Sequence, residues 1–286
     1  MISRSYKFKY LFESLFEKIF ASKYKVFSTF FYIPFLYITA WLISRPILIF
    51  SIGKETLNTV HLALTFFLFI GLIPRWFNTR WGIKKSYDFI GLKINLQSGS
   101  PTINFLKGIF IALVLIILLL LPIIFNNWFE WKGELSLIVF LNGILVGLFY
   151  GFFEEIIFRG WLQEELKILL GLKMAVIFQS LIFSLVHGYK DISLSIGLFI
   201  LGILLTSKKL KDNGEIWSSI GIHGGLVGIW FITSSILDIN SNAPSWIIGK
   251  EINDINPIGG TYGITLMIAL IFFLNRKKSI KFKINN

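Results

Sequence analysis

The sequence predicts an all-α fold, a polytopic membrane helical bundle of about eight transmembrane helices preceded by an N-terminal amphipathic helix. Three observations carry that prediction. Hydrophobic residues make up 55% of the 286 and charged residues only 15%. The mean hydropathy is +0.71. The apolar residues fall in blocks of roughly 16 to 26, separated by short polar stretches, as expected of helices that satisfy their own backbone hydrogen bonds in hydrocarbon.

Within residues 1–25, Phe8, Leu11, Phe12, Leu15, Phe16, Ile19 and Phe20 recur at helical spacing opposite Lys7, Lys9, Glu13, Glu17 and Lys18. That stripe fits a helix lying on the membrane surface, or one packed over the bundle. No apolar core ending in a small-residue cleavage site precedes the first span, which is therefore expected to act as the insertion signal.

Eight spans are expected, at about 26–52, 60–74, 108–125, 135–158, 172–187, 192–207, 215–236 and 258–274. The first holds Pro34 and the pair Arg45-Pro46, so it either kinks or ends early with Arg45 reaching for the interface. Basic residues test the count, because cytoplasmic flanks of membrane helices carry an excess of Lys and Arg. With both termini inside, inner segments hold 22 of the 28 basic residues; the outer ones hold only Lys54, Lys132, Lys190 and Lys250. Trp76, Trp81, Trp128, Trp131 and Trp161 fall near span ends and read as interfacial anchors. No repeat or linker divides residues 26–286, which read as a single membrane domain.

Composition also excludes. With no cysteine, disulfides, thiolate zinc sites and cysteine nucleophiles are ruled out. The net charge of +12 sits beside apolar spans and reads as a topology signal, so no nucleic acid partner is expected. His-Glu-x-x-His, Gly-x-Ser-x-Gly and Gly-x-Gly-Asp signatures do not occur.

An ionisable side chain inside a span costs about 2.5–3.5 kcal/mol on insertion scales, so a cluster of them needs a reason. The stretch Gly151-Phe-Phe-Glu-Glu-Ile-Ile-Phe-Arg-Gly160 sets Glu155 and Arg159 at i, i+4, where they neutralise each other and leave Glu154 free on another face. With a turn near Gly171, Glu154 lies 17 residues before it and His187 16 after it, both about 25 Å away at 1.5 Å per residue. An antiparallel hairpin brings them level. His223 lies in a glycine-rich run whose pairs Gly221/Gly225 and Gly224/Gly228 permit close helix approach. One glutamate and two histidines at a common depth suit either a hydrolytic metal site or a metal-free site in which glutamate activates water. His61 reads as a packing residue, and Asp191 as a cavity-mouth residue or a helix cap.

Taken in order, Glu-Glu-x-x-x-Arg (Glu154, Glu155, Arg159), Phe-x-x-x-His (Phe183, His187) and a later His223 on a Gly-rich helix resemble the type II CAAX prenyl endopeptidase family. That group, also called CPBP or Abi, includes lysostaphin-resistance-type proteins; the likeness spans about residues 135–235. The resemblance implies that Glu154 activates the hydrolytic water with help from His187. It implies that Glu155 and Arg159 hold the first motif, and that His223 stabilises the oxyanion or binds metal. The implied metal ligands are Glu154, His187 and His223, with zinc or another divalent ion, and a metal-free glutamate mechanism stays open. There is one departure: the family carries Asn or Asp four residues after the last histidine, where this chain has Val227.

The function this implies is an intramembrane endopeptidase that sits in the lipid bilayer and hydrolyses peptide bonds of membrane-associated proteins or peptides. The alternatives are a catalytically silent scaffold or sensor, which Val227 favours, and a secondary transporter using the buried charges as a proton relay. The expected location is a bacterial plasma membrane with both termini cytoplasmic. Oligomeric state is not legible.

Overall fold

A computed structural model describes residues 25–46, 53–93, 100–188, 192–240, 242–249 and 255–276. The expected amphipathic helix before Lys25, and Asp191, lie outside these. Backbone contacts divide the chain into two compact units, Met1–Phe89 and Ile90–Asn286.

The first unit contains α1 (Lys25–Ser44), α2 (Lys54–Trp81) and the single turn α3 (Ser86–Phe89). Of the two expectations for the first span, early termination is found: α1 stops at Ser44, and the Arg45 guanidinium covers the Trp41 ring at 3.7 Å. Tyr32 on α1 meets Trp76 on α2 with ring centroids 4.0 Å apart. Arg80 lies over the same indole at 4.3 Å and donates to Thr29 Oγ1 at 3.2 Å and Lys25 O at 2.8 Å. Trp76 is fully buried, so it is a core residue and not the expected interfacial anchor. Gly82, at φ 69°, closes α2 with bonds back to Asn78 and Phe77 carbonyls, a conformation that favours glycine.

The second unit contains α4 (Pro101–Phe125), α5 (Leu137–Glu155), a π-helical segment (Ile156–Leu162), α6 (Gln163–Leu170), α7 (Leu172–Gly188), α8 (Ile192–Lys211), α9 (Trp217–Ile236), α10 (Ser245–Ile248) and α11 (Thr261–Arg276). Pro101 starts α4, where its missing N–H costs nothing, and Ser136 caps α5 by accepting from Val139 N at 3.2 Å. A short antiparallel pair, β1 (Phe129–Trp131) with β2 (Leu237–Ile239), ties the end of the α4 loop to the end of α9. No strand was expected.

Helix α9 is the centre of this unit, packing along both α4 and α5. The approach depends on glycine. A Cβ on Gly147 would collide with Gly224 O, and one on Gly108 with Ser218 O. The small-residue face read from the sequence therefore does press α9 against its neighbours.

Among the described residues, six helical runs, including the continuous Leu137–Leu170, are long and apolar enough to cross a membrane. Two more apolar helices, Leu172–His187 and Thr261–Arg276, are shorter, about 24 Å against a hydrocarbon thickness of about 30 Å. Exposed Phe110, Phe125, Leu137 and Ile138 give α4 and α5 the outward apolar surface that lipid requires.

Candidate active site

The run that begins as α5 does not stop at residue 158 as expected. It continues through one π-helical stretch, Ile156–Leu162, in which Gln163 N–H reaches back five residues to Phe158 O. The wider turn leaves Arg159 O without Gln163 as its usual partner. Lys209 Nζ donates to that carbonyl at 2.6 Å and to Glu164 Oε1 at 2.6 Å. π-Turns inside α-helices concentrate at functional sites, because they re-aim side chains.

All five predicted site residues come together around this turn. Arg159 Nη1 donates to Glu155 Oε1 at 2.8 Å, with both side chains fully buried. His223 Nδ1 stands 2.9 Å from the same Oε1. Helix α7 turns back after Gly171 and sets His187 Nε2 2.9 Å from Glu154 Oε2. His223 Nε2 stands 3.6 Å from that oxygen. Glu155 thus anchors Arg159 and His223, while Glu154 faces both imidazoles.

Proton placement follows from the partners. Phe183 O, 2.7 Å from His187 Nδ1, can only accept, so Nδ1 carries a proton. Glu155, already paired with Arg159, accepts from His223 Nδ1 in the same way. A neutral imidazole then presents a lone pair at Nε2. Glu154 Oε2 has His187 Nε2 at ion-pair distance. That contact becomes a hydrogen bond when one further proton lies between the two atoms. The 3.6 Å gap to His223 is too long for a direct bond and suits one water touching both.

Phe183 holds the cluster from the apolar side. Its ring packs on His187 (4.6 Å), meets His223 edge-on (5.5 Å) and lies 4.2 Å from the Arg159 guanidinium carbon. The cluster adjoins a cavity of about 310 Å³ lined by His187, His223, Val227, Trp230, Ser234 and Asn256 among apolar residues.

The metal ligands implied by the resemblance, Glu154, His187 and His223, are gathered here. However, no three His, Asp or Glu side chains among the described residues stand as a metal set. The 2.9 Å from Oε2 to Nε2 is also closer than two ligands of one zinc, about 3.3 Å for tetrahedral bonds of 2.0–2.1 Å. As placed, these residues do not fit a metal centre.

A second tryptophan reading is corrected. Trp161, taken as an interfacial anchor, is 2% exposed inside the π-turn. Lys209, at the end of α8, is buried against Glu164. Sequence reasoning also missed Glu164 and Asn256, neither of which carries a motif.

Fold and cluster define a polytopic helical membrane protein with a buried carboxylate–imidazole site. Within that class, residues 135–229, a third of the chain, match the family described as Type II CAAX prenyl endopeptidase Rce1-like. The match supports assignment to the CPBP family and a CAAX-type intramembrane protease as the general kind of function. Residues 16–85 match a domain of unknown function, DUF8676. No curated protein and no solved structure matches the chain.

Proposed function

We propose that this protein is an intramembrane endopeptidase that cleaves membrane-associated peptides or proteins with a water activated by Glu154, without a metal. The observation that carries the reading is Glu154 Oε2: buried, and faced by two imidazole nitrogens, His187 Nε2 at 2.9 Å and His223 Nε2 at 3.6 Å, whose other ring positions are already occupied. A water between Glu154 and His223 is held by two acceptors and directed at a substrate carbonyl in the adjoining cavity. Glu154 takes its proton as the oxygen attacks carbon. That proton passes to His187 Nε2, 2.9 Å away, which delivers it to the departing nitrogen as the C–N bond breaks. Glu155 and Arg159 keep His223 in the tautomer that leaves Nε2 open. The expected setting is a bacterial plasma membrane with both termini cytoplasmic, where lateral entry between helices selects substrates that partition into lipid.

A second reading, a catalytically silent scaffold, is favoured by one residue, Val227. The two readings separate in host membranes expressing wild type, Glu154→Gln and His187→Ala at matched abundance, with new peptide termini compared across the three. Termini present with wild type and missing from both variants support the peptidase. Identical profiles from folded proteins leave the scaffold.

A further inference from the structure

Hydrolysis through a tetrahedral intermediate needs a donor for the carbonyl oxygen, and the two imidazoles are poorly supplied to provide it. Each has its Nδ1 proton committed, His187 to Phe183 O and His223 to Glu155. The His187 Nε2 proton, when present, faces Glu154 and then the leaving nitrogen. The position one turn beyond His223 holds Val227, which has no donor. The cavity wall therefore has to supply an N–H from elsewhere.

We propose that Asn256 Nδ2 is that donor, binding the scissile carbonyl oxygen and the oxyanion that develops on it. Asn256 lines the same cavity as His187, His223 and Val227, and a cavity of about 310 Å³ has room for a peptide unit. The Asn256 side chain caps the 3-10 turn Pro257–Gly259, with Oδ1 accepting from Ile258 N at 3.2 Å. A backbone N–H can pair only with the amide oxygen, so this bond orients the amide and leaves Nδ2 as its donor end. The other polar groups on the wall are less suited. Ser234 Oγ already donates to Phe231 O at 3.2 Å. Trp230 lies seven residues beyond His223 on α9, about 10.5 Å along the axis.

Asn256 falls outside the family match, which ends at residue 229. The inference rests on the peptidase reading and assigns it one step. As the water oxygen bonds to the carbonyl carbon, the water proton passes to Glu154 and the C=O π pair moves onto oxygen, where Nδ2–H receives it. The pair returns as the C–N bond breaks, and the leaving nitrogen takes its proton from His187.

Asn256→Asp separates this role from the turn cap, because aspartate still accepts from Ile258 N but donates nothing. A synthetic peptide spanning a bond cut in wild-type membranes is assayed with purified full-length wild type, Asn256→Asp, Asn256→Ala and Glu154→Gln in detergent, together with their thermal unfolding. The expected result is a fall of about 10²–10³ in kcat for both Asn256 variants. KM should be little changed, and Asn256→Asp should unfold at the wild-type temperature. Adding Val227→Asn to Asn256→Asp should recover part of the loss by returning an amide to the same cavity. Asn256→Asp with wild-type kcat, beside an inactive Glu154→Gln, overturns the assignment and leaves the peptidase standing. If Glu154→Gln cleaves like wild type, the peptidase reading fails and the assignment falls with it.

Discussion

Two buried charge clusters share the continuous helix Leu137–Leu170 and are completed in opposite ways. Around Glu164, Lys209 Nζ is used twice, on Arg159 O and Glu164 Oε1, and Lys167 takes Glu164 Oε2 at 3.0 Å. Around Glu154, the anchoring contacts are made through Glu155, while Glu154 Oε2 faces two histidines that line a cavity. Both clusters bury carboxylates against cations, so burial alone does not distinguish chemistry from architecture. A carboxylate faced by imidazoles that themselves line a space a substrate can enter does.

Each cluster should therefore fail in its own way. The largest expected effect is on the open one: Glu154→Gln removes the base while keeping shape, and should lower turnover by about 10²–10⁴-fold with the unfolding temperature little changed. A variant that still cuts would make Glu154 as structural as Glu164. Next, Arg159→Ala leaves the fully buried Glu155 uncompensated and should cost about 3–5 kcal/mol of stability, read as a fall in unfolding temperature at matched detergent. Lys209→Met should fall in the same range, because Glu164 loses its buried partner. Lys209→Met with Glu164→Leu should recover most of that loss. A remainder of about 1–3 kcal/mol should persist from the Arg159 carbonyl left without its donor. A double variant no more stable than the single one would mean that the carbonyl contact, and not the ion pair, holds the π-turn.

The two clusters also differ in how far they were legible beforehand. Glu154 and His187 could be set level by counting residues from Gly171, since an α-helix converts sequence separation into length, and Glu155–Arg159 follows from helical periodicity. The glycine face of α9 was legible because small residues at four-residue spacing have one common use between helices. The π-turn was not, since a turn widened by one residue leaves no periodic trace. The pairing of Lys209 was not legible because a lysine near a helix end looks like a topology signal until packing places Glu164 beside it. Trp161 was misread for the same reason. Asn256 lies 33 residues beyond His223, and only the fold of the intervening chain brings it to the cavity.

The smallest expected effect tests what fills the open valence at Glu154. If that capacity belongs to water, dialysis against a chelator should change cleavage by less than about twofold, and purified protein should carry well under one equivalent of zinc by elemental analysis. The reasoning is geometric: an oxygen and an imidazole nitrogen 2.9 Å apart can share a proton but must separate by several tenths of an ångström to share a zinc ion. A metal would also require both Nε2 atoms as lone-pair donors, which removes the proton that His187 supplies to the leaving nitrogen. Stoichiometric zinc, with activity lost on chelation and restored on its return, would show that the side chains spread apart around an ion. The contrast with the Glu164 cluster would then be between a pair completed by lysine and a triad completed by a cation.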